Sequence, residues 1–137
     1  MPIAQQGSSG GGGGTTLSHP FTAKELIPQG SLVAVTSTNG VAEIELAEPT
    51  TNGERALGFA ITEIQIGEIG KFIVGRGALV TPVIVGGGTF TPNDPVFMAA
   101  SGEVSQTPPT QGFVTMIGYA TSTTELILTT DFRFIKP

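Results

Sequence analysis

The chain has 137 residues, enough for one domain with a buried core, and balances 6 basic against 11 acidic residues for a net charge of −5. Charged residues make up 12%, about half the usual share, while glycine (20) and proline (10) are abundant and cysteine is absent. These counts exclude disulfides, thiolate metal sites and thiol nucleophiles. The six basic residues stand singly and form no stripe that could follow a phosphate backbone.

Residues 1–18 read as a flexible Gly-rich arm, with Met1-Pro2-Ile3 leading through Gly7-Ser8-Ser9 into an unbroken run from Gly10 to Gly14. Glycine loses much entropy on ordering and buries nothing in return, so such an arm needs a foreign surface to lie on. The same composition also suits a plain spacer. Met1 to Ser9 lacks a basic region followed by an apolar one, which argues against a secretory signal and for a soluble protein made in the cytoplasm.

Residues 19–137 read as the folded domain. Ser31 to Thr36 forms a strand, Asn39-Gly40 is a hairpin turn, and Val41 to Leu46 alternates, setting Glu43 and Glu45 opposite Ala42, Ile44 and Leu46. Further strands are expected over Arg55 to Ile64, Lys71 to Arg76, Ala78 to Val85 and Val96 to Ala99. A turn at Ser101-Gly102 then leads toward Val104, and Pro82 marks an edge or a bulge. Phe113 to Ala120 and Leu126 to Thr130 close the domain before a tail that ends at Pro137. No segment keeps a helical period, so the fold is all-β: about ten short strands in one small barrel or sandwich. Ala56-Leu57-Gly58-Phe59-Ala60 echoes Met116-Ile117-Gly118-Tyr119-Ala120, read as two equivalent strands of that one barrel.

Catalytic and ligand chemistry finds little support. The single histidine, His19, lies at the arm boundary with no nucleophile marked beside it. Glutamates dominate the acidic residues but fall on strand faces and in turns, where they read as solvated charges. Asn93-Asp94 alone is no calcium loop, and the glycine runs lack the Lys-Ser/Thr and helix of a phosphate loop. No catalytic residue, metal site or cofactor is assigned, and no nucleic acid or membrane partner is expected. The longest uncharged stretch, Gly77 to Asn93, is interrupted by Pro82 and three glycines. Phe132-Arg133-Phe134 puts two aromatic rings on one strand face. Together with Ile135 and the arm residues Pro2, Ile3 and Leu17, they are the candidate partner-binding residues.

Three phrases carry a resemblance. They are Gly67-Glu68-Ile69-Gly70-Lys71-Phe72-Ile73-Val74-Gly75-Arg76-Gly77, then Asn93-Asp94-Pro95-Val96-Phe97, then Ile117-Gly118-Tyr119-Ala120. With Arg55 to Ala60 upstream, the chain over about residues 30–130 resembles the decoration (cement) and head-stabilising proteins of tailed bacteriophages. The resemblance implies a β-barrel or sandwich without enzymatic activity. It further implies attachment to the major capsid protein on the outside of an icosahedral head, as a homo-oligomer, commonly a trimer. A head-fibre or tail component, or a carbohydrate-binding β-module, is the alternative; one Tyr and no Trp leave few platforms for sugar.

Overall fold

The computed structural model describes residues 15–38, 40–112 and 114–129, with the backbone alone for 15–20 and 38. Ten strands are described, with three single 3-10 turns as the only helical structure. The all-β, ten-strand expectation holds, but the strands divide between two sheets. Strands β1 (Thr15–Ala23), β2 (Leu32–Thr38), β3 (Val41–Leu46), β4 (Ala56–Ala60) and β5 (Ile69–Val74) close a barrel in the order β1-β3-β2-β4-β5. Strands β6 (Leu79–Val80), β7 (Pro95–Met98), β8 (Val104–Ser105), β9 (Met116–Ala120) and β10 (Leu126–Leu128) form a second sheet in the order β6-β10-β9-β7-β8.

Local sequence accounts for most of the boundaries. The register Thr38↔Val41 leaves a two-residue turn at 39–40, with Gly40 at φ 79°, as an Asn-Gly hairpin requires. The run expected over Ala78 to Val85 keeps only two strand residues before Pro82. A proline cannot donate to a ladder, and β6 accordingly lies at the sheet edge. Thr15 to Ser18, assigned above to the arm, instead pair with Val74 to Lys71 of β5, so the barrel begins inside the segment read as flexible. The alternating Thr and Leu of that stretch suit a pleated strand once a partner edge is present.

The two sheets repeat one design. In the barrel, β1 pairs in parallel with β3 through Ala23↔Ile44; in the second sheet the parallel bridge Ile84↔Val104 joins the corresponding segments. Val33↔Gly58 and Leu32↔Phe59 are matched by Val96↔Gly118 and Pro95↔Tyr119, and Phe59↔Ile73 by Tyr119↔Ile127. Each fourth strand bulges one residue before its glycine, at Leu57 and at Ile117. Each second strand follows a turn closed from residue i to i+3, Pro28–Ser31 (3.2 Å) and Thr91–Asp94 (3.3 Å). The third turn residue is left-handed in both, Gly30 at φ 82° and Asn93 at φ 75°. The 56–60 and 116–120 echo therefore marks the same strand in two repeated units, which corrects its reading as two strands of one barrel. The sequence of a strand carries no record of which partner closes the ring.

Alternation sorts the core into two layers. Val33, Ile44, Ala60, Ile64 and Phe72 fill the barrel with no or almost no exposure. The opposite face of β2 and β4 carries Leu32, Ala34 and Phe59, which pack with Val96, Met98, Ile117 and Leu126 of the second sheet. The halves are also tied by backbone: the Val83 N–H donates to the Gly30 carbonyl (3.2 Å) and the Gly102 N–H to the Ala47 carbonyl (2.9 Å).

Among the described residues two polar side chains, Ser31 and Asn52, are almost wholly buried. Asn52, 1% exposed, accepts from the Glu48 N–H (2.6 Å) and donates to the Glu45 carboxylate (2.7 Å) and the Leu46 carbonyl (3.1 Å). Asn52→Ala strands a backbone donor and acceptor away from water, which should cost about 1–3 kcal/mol in urea unfolding. A loss below about 0.5 kcal/mol, the scale of an ordinary surface change, would show that water replaces the amide freely.

Candidate binding surface

The carboxylates serve as local braces. Glu25 accepts from the Leu46 N–H (2.9 Å), Glu68 from the Gln65 N–H (2.9 Å), and Glu48 from the Ser101 N–H (2.9 Å) across the two units. Glu45, expected on a solvated face, is engaged by Asn52 and by Lys24 at 3.7 Å. Glu54 and Arg55 make a second ion pair, at 3.6 Å, with Arg55 also donating to the Val35 carbonyl (2.8 Å). Among the described residues no three His, Cys, Asp or Glu side chains gather in a way that could hold a metal ion. No helix among them is long and apolar enough to cross a membrane.

A shallow groove of about 500 Å³ runs between the units, walled by Pro49, Val85, Pro108 and Pro109 with Glu48 and Glu103 at its margin. Glu48 already holds Ser101 there. The groove offers apolar walls to a contacting chain.

Exposed apolar side chains supply the other surface. Leu79, Met116 and Tyr119 stand 54%, 38% and 42% exposed on the outer face of the second sheet. A cross-strand row, Leu79↔Ile127↔Tyr119↔Pro95, places them on one side, with Phe97↔Met116 beside it. Paired residues share a face, so alternation turns their neighbours Val80, Ala120, Leu126 and Val96 inward, where they are buried. A second apolar set, Leu26, Ile66 and Ile69, lies in and beside the loops joined at the Ile27↔Ile64 bridge of the barrel.

Of the six residues assigned to partner binding from sequence, Leu17 is the one within the described chain, on β1 opposite Phe72. Pro2, Ile3, Phe132, Phe134 and Ile135 lie outside the described residues. The outer face of the second sheet escaped the sequence reading. Its signal was the alternation Leu79/Val80 and Tyr119/Ala120, but periodicity separates two faces without telling which one stays uncovered.

Two packed β-units, with carboxylates engaged in bracing the backbone, define an all-β module built from one repeated design. The chain belongs to the phage cement protein family, whose sequence model matches residues 12–125. Its fold is similar to that of the head fiber gp8.5 N base of bacteriophage phi29, at a TM-score of 0.58 and 16% identity, covering 90% of this chain and 100% of that one. At that identity the likeness speaks for the fold. No curated protein sequence matches.

Proposed function

We propose that this protein is a capsid decoration protein: it binds the outer surface of an icosahedral phage head through the major capsid protein and stabilises the shell. Membership of the phage cement protein family carries this reading. The surface agrees with it. A cement protein needs flat β-faces, loops that follow a seam and arms that reach, and it needs no cleft with reactive groups. The role is mechanical, without catalysis, and the working form is a homo-oligomer, a trimer in the simplest case. A head-fibre base is the second reading, favoured by the fold similarity to the head fiber base of phi29.

The contacts are assigned to the two ends of the chain: Pro2 and Ile3 before the glycine run, and Phe132, Phe134 and Ile135 after β10. Fourteen residues precede β1, and at about 3.3 Å per extended residue they could reach roughly 45 Å across a shell. Each contact is weak because glycine is costly to order, but one shell offers many equivalent sites. Leu17 sits on the barrel strand, so its contribution passes through the strand that launches the arm.

Deleting residues 2–14 spares β1 and should leave the thermal transition within a few degrees. Binding to purified heads in a cosedimentation titration should weaken about tenfold or more. Equal occupancy by the shortened protein would remove the arm from the contact. Failure of the full-length chain to sediment with any head form would remove the decoration reading itself.

A further inference from the structure

The tripeptide Thr-Asn-Gly occurs twice in the chain, at 38–40 and at 51–53. An asparagine followed by glycine is the pair most open to deamidation. The glycine nitrogen, unhindered by a side chain, attacks the asparagine side-chain carbonyl carbon and closes a five-membered succinimide with loss of ammonia. Water then opens the ring to aspartate or isoaspartate. Asn39 lies outside the described residues, whereas Asn52 and Gly53 lie within them.

At Asn52 the fold holds the parts of that reaction away from each other. Ring closure needs the Gly53 nitrogen nearly eclipsed with the Asn52 β-carbon. The Asn52 ψ of 11° instead sets it close to eclipsing the residue's own nitrogen, on the far side from that carbon. The Arg55 N–H, donating to the Asn52 carbonyl (2.8 Å), fixes this peptide. The side-chain amide is fixed as well, by its bonds to Glu48, Glu45 and Leu46. At 1% exposure it is also shut off from the water that would open the ring. Attacking group and target are neighbours in sequence, and only the native geometry keeps them from meeting.

We propose that Asn52-Gly53 is a conformation-gated modification site: silent in the native chain, it deamidates when the corner over residues 47–55 opens, and the product holds that corner open. The second half follows from the same contacts. Deamidation replaces the amide nitrogen that donates to Glu45 and Leu46 by an oxygen, which sets two carboxylates against each other out of water. Isoaspartate also lengthens the backbone by one carbon beside Gly53. A β-carbon added at Gly53 would already stand 3.0 Å from the Met98 sulfur and 3.2 Å from the Glu48 carbonyl oxygen, so the site has no slack. The corner joins the two units, because the Ala47 carbonyl accepts from the Gly102 N–H (2.9 Å) and Glu48 holds the Ser101 N–H (2.9 Å). A chain that has stayed open is therefore marked covalently and kept from re-forming the joint. The proposal concerns the chain alone and does not depend on what it binds.

The repeated tripeptide supplies an internal reference for the test. The full-length chain is incubated in mildly alkaline buffer, with and without urea above its unfolding transition, and conversion at both sites is followed by peptide mass mapping. In urea Asn39 and Asn52 should convert at similar rates, since their flanking residues are the same. Without urea Asn52 should convert at least about 100-fold more slowly, following the small population of open chains. The Asn52→Asp variant, which is one of the two products made directly, should exchange the amide hydrogens of Glu48, Ser101 and Gly102 about tenfold or more faster than the native chain. The gate is overturned if Asn52 converts as fast in native buffer as in urea, or if it stays intact in urea while Asn39 converts. The effect of the product is overturned if Asn52→Asp keeps native protection at those three amides.

Discussion

Gly118→Ala should be among the most damaging single substitutions in the chain, lowering unfolding free energy by about 3 kcal/mol or more. A β-carbon at Gly118 would collide with the Ile127 carbonyl oxygen, and it would crowd the Leu128 backbone as well. These are backbone atoms of the neighbouring strand in a register held by Gly118↔Leu128 and Tyr119↔Ile127, so no rotamer change relieves them. The bulge at Ile117 lies in the ladder to β7, and on the other side glycine is what lets β9 approach the backbone of β10. Gly58→Ala should be damaging for the same reason, with the new carbon 2.6 Å from the Ile73 carbonyl oxygen. Urea unfolding of the two variants checks both. A Gly118→Ala protein of native stability would mean that β9 and β10 stand farther apart than described.

Phe59→Ala should cost about 3–5 kcal/mol, whereas Tyr119→Ala, at the equivalent ladder position, should cost less than about 1 kcal/mol in the monomer. The contrast isolates burial from local sequence. Phe59 has no exposure and lies in the layer shared by the two units, among Leu32, Val96, Met98 and Leu126. Its removal leaves a cavity in the layer that joins the second sheet to the barrel. The variant should also broaden the unfolding transition, because the units lose coupling before each loses its own core. Tyr119 is 42% exposed, so its ring contributes little to the stability of the chain. Comparable losses at both positions, measured in urea at dilution, would mean that the second sheet is covered in the monomer too.

Much of the fold was legible because strands announce themselves locally. Val41 to Leu46 alternates, Asn39-Gly40 predicts the hairpin whose register is Thr38↔Val41, and Pro82 ends a run at a sheet edge. Thr15 to Ser18 were misassigned because five glycines precede them, and the partner that makes them a strand, Lys71 to Val74, lies more than fifty residues away. The exposed apolar face of the second sheet was less legible still. Phe132 and Phe134 drew notice as a local aromatic pair, while Leu79, Met116 and Tyr119 are scattered over forty residues of sequence and meet only across β6, β9 and β10.

The sequence by itself determined the class of the protein: β-propensity, turn residues and the alternation of apolar side chains are local properties, and so are the phrases that resemble the phage cement proteins. The absence of cysteine and the thin scatter of charge likewise bounded the chemistry without any structure. Only the tertiary structure decided that ten strands make two repeated units, since closing a ring depends on pairing between distant segments such as Ala23↔Ile44 and Ile84↔Val104. It alone decided which of two similar apolar faces is core. Phe59 and Tyr119 occupy the same place in the same design, and one is buried because the other unit lies on it.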